Sequence, residues 1–523
     1  MTAPTRPILT TERRLGAGHI LRAGSRAAYR SVAEMPGEPH MIRSEVLGDG
    51  ASLVEMPSVT EPILCLAHMT DLHVTDVQSP ARFEFVNREW QDPRFRELLT
   101  MQRPHEALNT HAVAAMVRTV NHAGVGPVTG APVRLVAMTG DAIDNTQRNE
   151  LSNFLALMNG GDVKPDSGAP GYAGVQAPGW PGEIYWKPDG APEHDVFQSE
   201  LGYPSRPGLL DEAMAPFRAE GLRVPWLGCY GNHEQVCQGV GIVTGELARA
   251  MTGTQKPVVL PPGIDRDRVV DVFIEHPERF MAGECAEVAP DADRRPISRA
   301  EFVESLARSG GHGFGAADGE RGGAYYFHDE GSVRFITLDT VCDAGAADGS
   351  IDEAQLAWLA RTLEHVHSSF RARDGSTVRT ANEDRLVVIL SHHGYDTLSN
   401  PRGEGRAGEL LALLLRFDNV VLWLNGHIHA NRITPRTDGH GQGFWEVTTS
   451  SLVDWPCQAR LVELFRCGQG LLGIACTMLD HDGGGLAGLH RELAGNVPFS
   501  DFDSWRPGSP ADRNVVLLLP APF

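Results

Sequence analysis

Asn232 and His233 stand side by side in Tyr230-Gly231-Asn232-His233-Glu234. The first offers a neutral amide oxygen and the second an imidazole, and both suit a cation. Alone, the pair reads more readily as a hydrogen-bonded loop. Four further stretches carry the same kinds of residue. They are Asp71-Leu72-His73, Gly140-Asp141-Ala142-Ile143-Asp144, Ser391-His392-His393 and Gly426-His427-Ile428-His429. Carboxylates, an amide and imidazoles, with no cysteine among them, make a mixed oxygen and nitrogen set of the kind that binds Mn, Fe or Zn. Residue type does not choose among the three.

Each stretch follows at once on an apolar run: 224–229, 63–69, 133–138, 386–390 and 420–424. Short apolar runs bounded by turns read as buried strands. A turn at a strand's end projects polar side chains into the crevice where α/β sheets bind ligands. Helical patterns lie between the runs, at 105–122, 147–158, 351–365 and 409–417. In the third of these, Leu356, Leu359 and Leu363 recur at three- and four-residue spacing, an apolar stripe. Strand, helix, strand in this order predicts parallel strands. Beyond His429, the stretches 444–449, 461–465 and 471–478 read as antiparallel strands, and 513–519 as a late one.

Jointly, Asp-x-His, Gly-Asp-x-x-Asp, Gly-Asn-His-Glu, His-His and Gly-His-x-His resemble the motif set of the calcineurin-like metallophosphoesterase superfamily. The motifs run from Asp71 to His429, most of the chain. Thr70-Asp71-Leu72-His73 followed by Ser79-Pro80-Ala81-Arg82-Phe83-Glu84-Phe85 resembles a long actinobacterial branch, whose substrate the resemblance does not supply. The implied fold is α/β, a four-layer α/β/β/α sandwich of two mixed sheets flanked by helices, with inserted cap segments. The implied cofactors are two divalent or trivalent metal ions. Asp71, His73, Asp141 and His429 would surround the first, and Asp141, Asn232, His392 and His427 the second. Spacing leaves His392 and His393 equally open as ligands, and the resemblance favours His392.

The resemblance also implies a reaction. A phosphate monoester or diester, small like a nucleotide, would be hydrolysed by a metal-bound hydroxide attacking in line. Two ions roughly 3.5–4 Å apart neutralise the phosphoryl oxygens and activate the water. His233 would protonate the leaving group or stabilise its charge, and Asp144 would hydrogen-bond to His233. On type alone Asp144 is also a turn cap, and Glu234 reads as structural. Arg82 suits a substrate phosphate, because its planar fork matches the oxygens; a salt bridge to Glu84 or a neighbour is the other reading. The serine/threonine phosphatase branch fits less well, since Asn145-Thr146 stand where that branch has Arg-Gly. The alternative from another class is a catalytically silent metal-binding scaffold on the same fold.

Net charge is −21. Polymers of phosphate and anionic membrane surfaces attract basic faces, so no nucleic acid polymer and no membrane is expected as partner. A small phosphate ester fits better. The eight cysteines show no CxxC spacing and read as buried free thiols. The beginning of the sequence has no apolar signal-like segment and no 18-residue apolar run occurs, which gives a cytoplasmic expectation.

The chain exceeds the size of a single small core. Its expected organisation is an arm at 1–60, a catalytic domain at 61–480 and an extension with a late strand at 481–523. Within the arm, Ser52-Leu53-Val54-Glu55 reads as a short strand. Two insertions interrupt the domain. One, at about 159–208, is rich in Gly, Pro and single aromatics and is expected over the site mouth. The other, at about 237–312, reads as a small helical cap, with capping-box spacing at Ser298-Arg299-Ala300-Glu301.

Overall fold

The computed structural model describes residues 8–48, 56–315, 323–439 and 442–523. The expected strand at 52–55 lies outside the described residues. Two large mixed sheets dominate. The first has eight strands, in the order Met41–Arg43, Val515–Pro520, Leu471–Asp480, Gln458–Cys467, Val59–Met69, Val133–Met138 and Trp226–Gly228, with Ile8–Leu9 added beside Leu471–Asp480. The second has six, in the order Tyr326–Glu330, Val333–Thr337, Leu386–Leu390, Val420–Asn425, Gly443–Thr448 and Arg432–Thr437. The three strands Val59–Met69, Val133–Met138 and Trp226–Gly228 pair in parallel. So do Val333–Thr337, Leu386–Leu390, Val420–Asn425 and Gly443–Thr448. All five ligand-like stretches follow these parallel strands, so they gather at one end of the sandwich.

Alternation along a strand decides which layer each side chain joins. Val388 and Leu390 enter the core between the sheets, with Leu66, Val136, Leu422 and Leu461. Val387 and Ile389, one residue out of phase, pack outward against Leu356, Leu359 and Leu363 of the helix Glu353–Glu364 and Leu410 of Ala407–Leu414. The helices Asn109–Ala123 and Arg148–Asn159 connect the parallel strands of the first sheet. The result is the expected arrangement of two sheets flanked by helices.

Several expectations change in detail. The run 224–229 yields a strand of only three residues, Trp226–Gly228. Gly443–Thr448 and Gln458–Cys467 do not pair with each other; they belong to different sheets. Between them and His429 lies Arg432–Thr437, an edge strand that pairs antiparallel to Gly443–Thr448. Ser298 caps the helix Arg299–Ser309 by accepting from the Glu301 amide (3.1 Å). The late strand Val515–Pro520 sits inside the first sheet. All eight cysteines are free, and seven are buried. Among the described residues no helix is long and apolar enough to cross a membrane.

The segment 237–312 packs Cys237, Phe273 and Phe280 against Phe83, Phe95 and Met101 of the first loop. The segment 159–208 instead packs Trp186 and Tyr203 against Tyr29 and Leu493. His367 lies on the outer layer, fully buried, with Nδ1 on the Leu363 carbonyl (2.5 Å). Burial pushes it down to about 4 from the ordinary 6.5. Below pH 6.5 the unfolded chain therefore takes up a proton that the folded chain refuses. This stability is complete above about pH 6.5 and is lost as pH falls toward 4, at about 1.4 kcal/mol per pH unit. Urea unfolding of wild type and His367→Gln at pH 7.5 and 5.5 measures it. The wild type should lose more stability than the variant, and equal losses would refute the burial argument.

Candidate metal centre

The main chain brings the turns together before any side chain acts. The parallel ladder between Val59–Met69 and Val133–Met138 continues past both strands: Asp71 N donates to Gly140 O (3.1 Å) and His73 N to Asp141 O (2.9 Å). In the second sheet, Gly426 N donates to His392 O (3.0 Å). Across the gap, His427 N donates to both oxygens of Asp71 (3.2 and 3.1 Å). Asp71, His73, Asp141, His427 and His429 all hold left-handed backbone, with φ between 47° and 69°. Residues with a Cβ rarely adopt it. Two glycines permit the close approach. A Cβ on Gly231 would stand 2.3 Å from Asp141 Oδ1, and one on Gly426 2.3 Å from Asp71 Oδ2.

Seven side chains meet there. His73 Nε2 is 3.1 Å from His429 Nε2, 3.7 Å from Asp141 Oδ2 and 4.0 Å from Asp71 Oδ1. His429 Nε2 is 3.3 Å from Asp71 Oδ1. On the other side, His392 Nε2 is 3.1 Å from Asp141 Oδ2 and 3.0 Å from Asn232 Oδ1. His427 Nδ1 is 3.1 Å from the same Asn232 oxygen. Asp141 Oδ2 touches both groups, and all but His427 are buried.

The outward nitrogens are committed. His73 Nδ1 faces Asp144 Oδ1 (2.9 Å), His429 Nδ1 faces Asp454 Oδ2 (2.7 Å) and His392 Nδ1 faces the Thr139 carbonyl (2.9 Å). Each partner only accepts, so each Nδ1 carries the hydrogen. The Nε2 lone pairs then aim inward, at oxygens that also only accept. Such a cluster fits cations, and imidazoles backed by carboxylates are the usual way proteins orient metal ligands. Without one, protons gather instead. His392 is raised to about 9, because Asp141 and Asp71 outweigh the opposing effect of burial. His429 is raised too, Asp71 and Asp454 overcoming burial. His73 goes the other way: burial and the charge of His233 push it down to about 4. Burial would raise Asp71, but His429 and His392 hold it at about 2.

His393 lies within reach of His392 and His427. Yet its Nδ1 meets Thr340 Oγ1 (2.9 Å) and its Nε2 the Ala347 carbonyl (2.9 Å). Both nitrogens are spent away from the cluster, so His392 is the one aimed inward. His233 Nδ1 is 3.1 Å from Asp144 Oδ1, the oxygen that also receives His73. One carboxylate oxygen thus serves two imidazoles. Burial alone would lower His233; Asp141 and Asp144 overcome it and raise it. Glu234 accepts from the amides of Gly231, Asp141, Ala142 and Ile143, and so ties the Asn232 turn to the Asp141 turn.

Arg82 does not reach the pocket. It is fully buried, paired with Asp144 and with Glu106 (2.7 Å), and its Nε lies 3.4 Å from Glu84. Contact with a substrate phosphate is closed to it, and the ion-pair reading holds, with Asp144 and Glu106 as the nearer partners. Three residues escaped sequence reading. Asp454 holds His429, and Arg103 holds Asp454 (2.7 Å). Arg506 lines the pocket, with its Nε unpartnered and its Nη1 only 3.4 Å from the carbonyls of Ile428 and His429. Asp454 had only a faint signal: it lies six residues beyond Gly443–Thr448, in the turn after a further parallel strand. Arg506 had none.

The pocket above the cluster holds about 240 Å³ and is lined by Asp141, Asn232, His233, His427, His429 and Arg506, among others. Gln238 and Val240 of the second insertion line it as well, whereas no residue of 159–208 does.

No family model matches this sequence, and no curated protein matches it. Two solved structures are similar in part. One is a dimetal phosphatase from Danio rerio, at 12% identity over 80% of this chain and 99% of that one, with a TM-score of 0.37. The other is the Thermus thermophilus sulfate thiohydrolase SoxB, at 13% identity over 79% of this chain and 55% of that one, with a TM-score of 0.26. Neither likeness is strong enough to carry an argument about this chain.

Asp454→Asn tests the backing of His429. It should lower affinity for Mn or Zn by about 10- to 100-fold, read by calorimetry on metal-stripped protein whose circular dichroism matches wild type. Undiminished affinity would show that the His429 orientation does not depend on this carboxylate.

Proposed function

We propose that this chain is a dinuclear metal-dependent phosphoesterase acting on small phosphate monoesters or diesters. One observation carries the reading. His73 and His429 face each other through Nε2 at 3.1 Å, each pinned by a carboxylate from behind, with Asp71 and Asp141 alongside. Asp71, His73, Asp141 and His429 would hold one ion; Asp141, Asn232, His392 and His427 would hold the other. When bound, the ions supply Lewis acidity toward phosphoryl oxygens and a water activated near neutral pH.

The remaining work falls to the chain's own groups. Asp144 anchors His233 through Nδ1, which leaves Nε2 to carry a proton toward a leaving oxygen. Asp141 and Asp144 keep that imidazole charged more readily than a free one, against the effect of burial. Arg506, at the pocket wall and only loosely paired with Asp454 (Nη1 to Oδ2, 3.6 Å), is placed to bind a non-reacting phosphoryl oxygen through its guanidinium. This role replaces the one expected of Arg82. A pocket of about 240 Å³ suits a phosphoryl head rather than a polymer strand.

The tests separate the parts. Metal-stripped protein should be inactive on p-nitrophenyl phosphate and bis(p-nitrophenyl) phosphate and regain activity with Mn. Asp141→Asn and Asn232→Ala should abolish the metal-dependent rate. Bound metal without turnover on any ester would favour the silent scaffold. His233→Ala should retain metal and slow alkyl esters by about 100-fold or more, with a smaller loss on nitrophenyl esters. Equal losses on both would remove His233 as the acid. Arg506→Ala should raise KM by about 10-fold or more, the worth of one charge-assisted hydrogen bond; an unchanged KM would exclude the contact.

A further inference from the structure

Beside the metal pocket lies a second and larger cavity, of about 790 Å³ against about 240 Å³. Leu99, Thr100 and Phe499 line both, so the two spaces adjoin along that wall. The first is walled by Asp, Asn, His and Arg side chains. The second is walled by Trp90, Ile184, Phe197, Leu201, Phe499 and Phe502. Trp90 and Phe499 are 56% and 43% exposed, large apolar rings left facing water. We infer that the substrate of the metal pocket carries an apolar organic arm, of the chemistry of a long alkyl chain, and that this arm lies in the adjoining cleft.

The polar groups of the cleft support that choice of occupant. Asn87 donates to the Gln102 carbonyl and accepts from the Met101 amide. Gln102 donates to the Arg103 carbonyl. Asn496 donates to the Arg30 carbonyl and accepts from its amide. These side chains are already bonded to the main chain, so they are poor readers of a base or a sugar. Arg26 is paired with Glu200 (2.9 Å). Arg26 and Arg30 stand in the lining against Asp501 and Asp503, which leaves no net sign to attract a second phosphate. What remains for binding is apolar surface. A volume of this size is ordinary for an organic ligand site. The net charge of −21 disfavours docking on an anionic lipid surface, so the ester is taken as a free amphiphile from solution.

This inference rests on the phosphoesterase reading, and the test keeps the two apart. Methylphosphonate and octylphosphonate are titrated by calorimetry into the manganese-loaded protein, where no turnover is needed. Octylphosphonate should bind at least about tenfold tighter, a fraction of what full burial of the added methylenes would give. The ratio should fall toward one in Ala27→Trp, an exposed position that would fill the cleft, and should shrink in Trp90→Ala. Equal affinities in wild type, or a ratio unchanged in both variants, would overturn the cleft while leaving the metal pocket intact. No binding of either phosphonate would overturn the phosphoesterase reading and the cleft with it. Sedimentation of the protein with phosphatidate vesicles would overturn the soluble source of the ester.

Discussion

Acceptors that face one another set the problem the rest of the molecule solves. The inward nitrogens of His73, His392, His427 and His429 lie within 3.0–4.0 Å of each other or of oxygens on Asp71, Asp141 and Asn232. In a buried site such groups repel unless a metal cation, or protons taken up by the imidazoles, stand among them. Five residues also hold left-handed backbone, a strain of about 1–3 kcal/mol each. Neither feature persists on its own. Both are imposed by turns locked to one another through main-chain hydrogen bonds, and those turns hang from strands buried on both faces. The rigidity of the sandwich is what makes the cluster possible.

Behind the histidines lies a layer of paired charge. Arg103 binds Asp454, which binds His429. Arg82 binds Asp144, which binds both His73 and His233. Each carboxylate has an arginine on one side and an imidazole on the other. Burial pushes both carboxyls up, and the arginines and histidines hold them well below the usual range. An ionised carboxylate keeps the hydrogen on Nδ1 and so keeps the Nε2 lone pair inward. The arginines therefore act on the cluster without touching it. Glu106 joins the two arms by contacting both arginines, so the two halves of the framework are coupled.

The cluster was legible in the sequence because parallel strands buried on both faces read as unbroken apolar runs, and their ends were marked by acids and histidines. Arg432–Thr437 was not legible, since an edge strand of Arg, Thr and Pro carries no such run. Arg82 and Arg506 show where residue type stops informing. Both are arginines with the same chemistry, yet one is sealed beneath Asp144 and the other stands at the pocket wall. Only packing separates them: Arg82 follows the first motif and is enclosed among Asp144, Glu106, Glu84 and the Met101 carbonyl, whereas Arg506 arrives from the far end of the chain. The same holds for the insertion at 159–208. Its composition marked a long irregular segment, but its aromatics found partners in Tyr29 and Leu493 rather than at the pocket.

A chain of net charge −21 and the anionic ester proposed for it pose an apparent conflict. It dissolves once distance is considered. Exposed charges are screened beyond about 8 Å at physiological salt, so the sum over the surface says little about a recessed pocket. What the proposed ester would meet there is local: Arg506 at the wall, His233 raised toward its charged form, and the cations that the inward acceptors call for. The far field still has a consequence. It weakens the approach of long polyanions, whose charge extends past the pocket onto the acidic surface, and leaves small esters nearly untouched. On the proposed function, selection for size would therefore begin before any contact with the insertions is made.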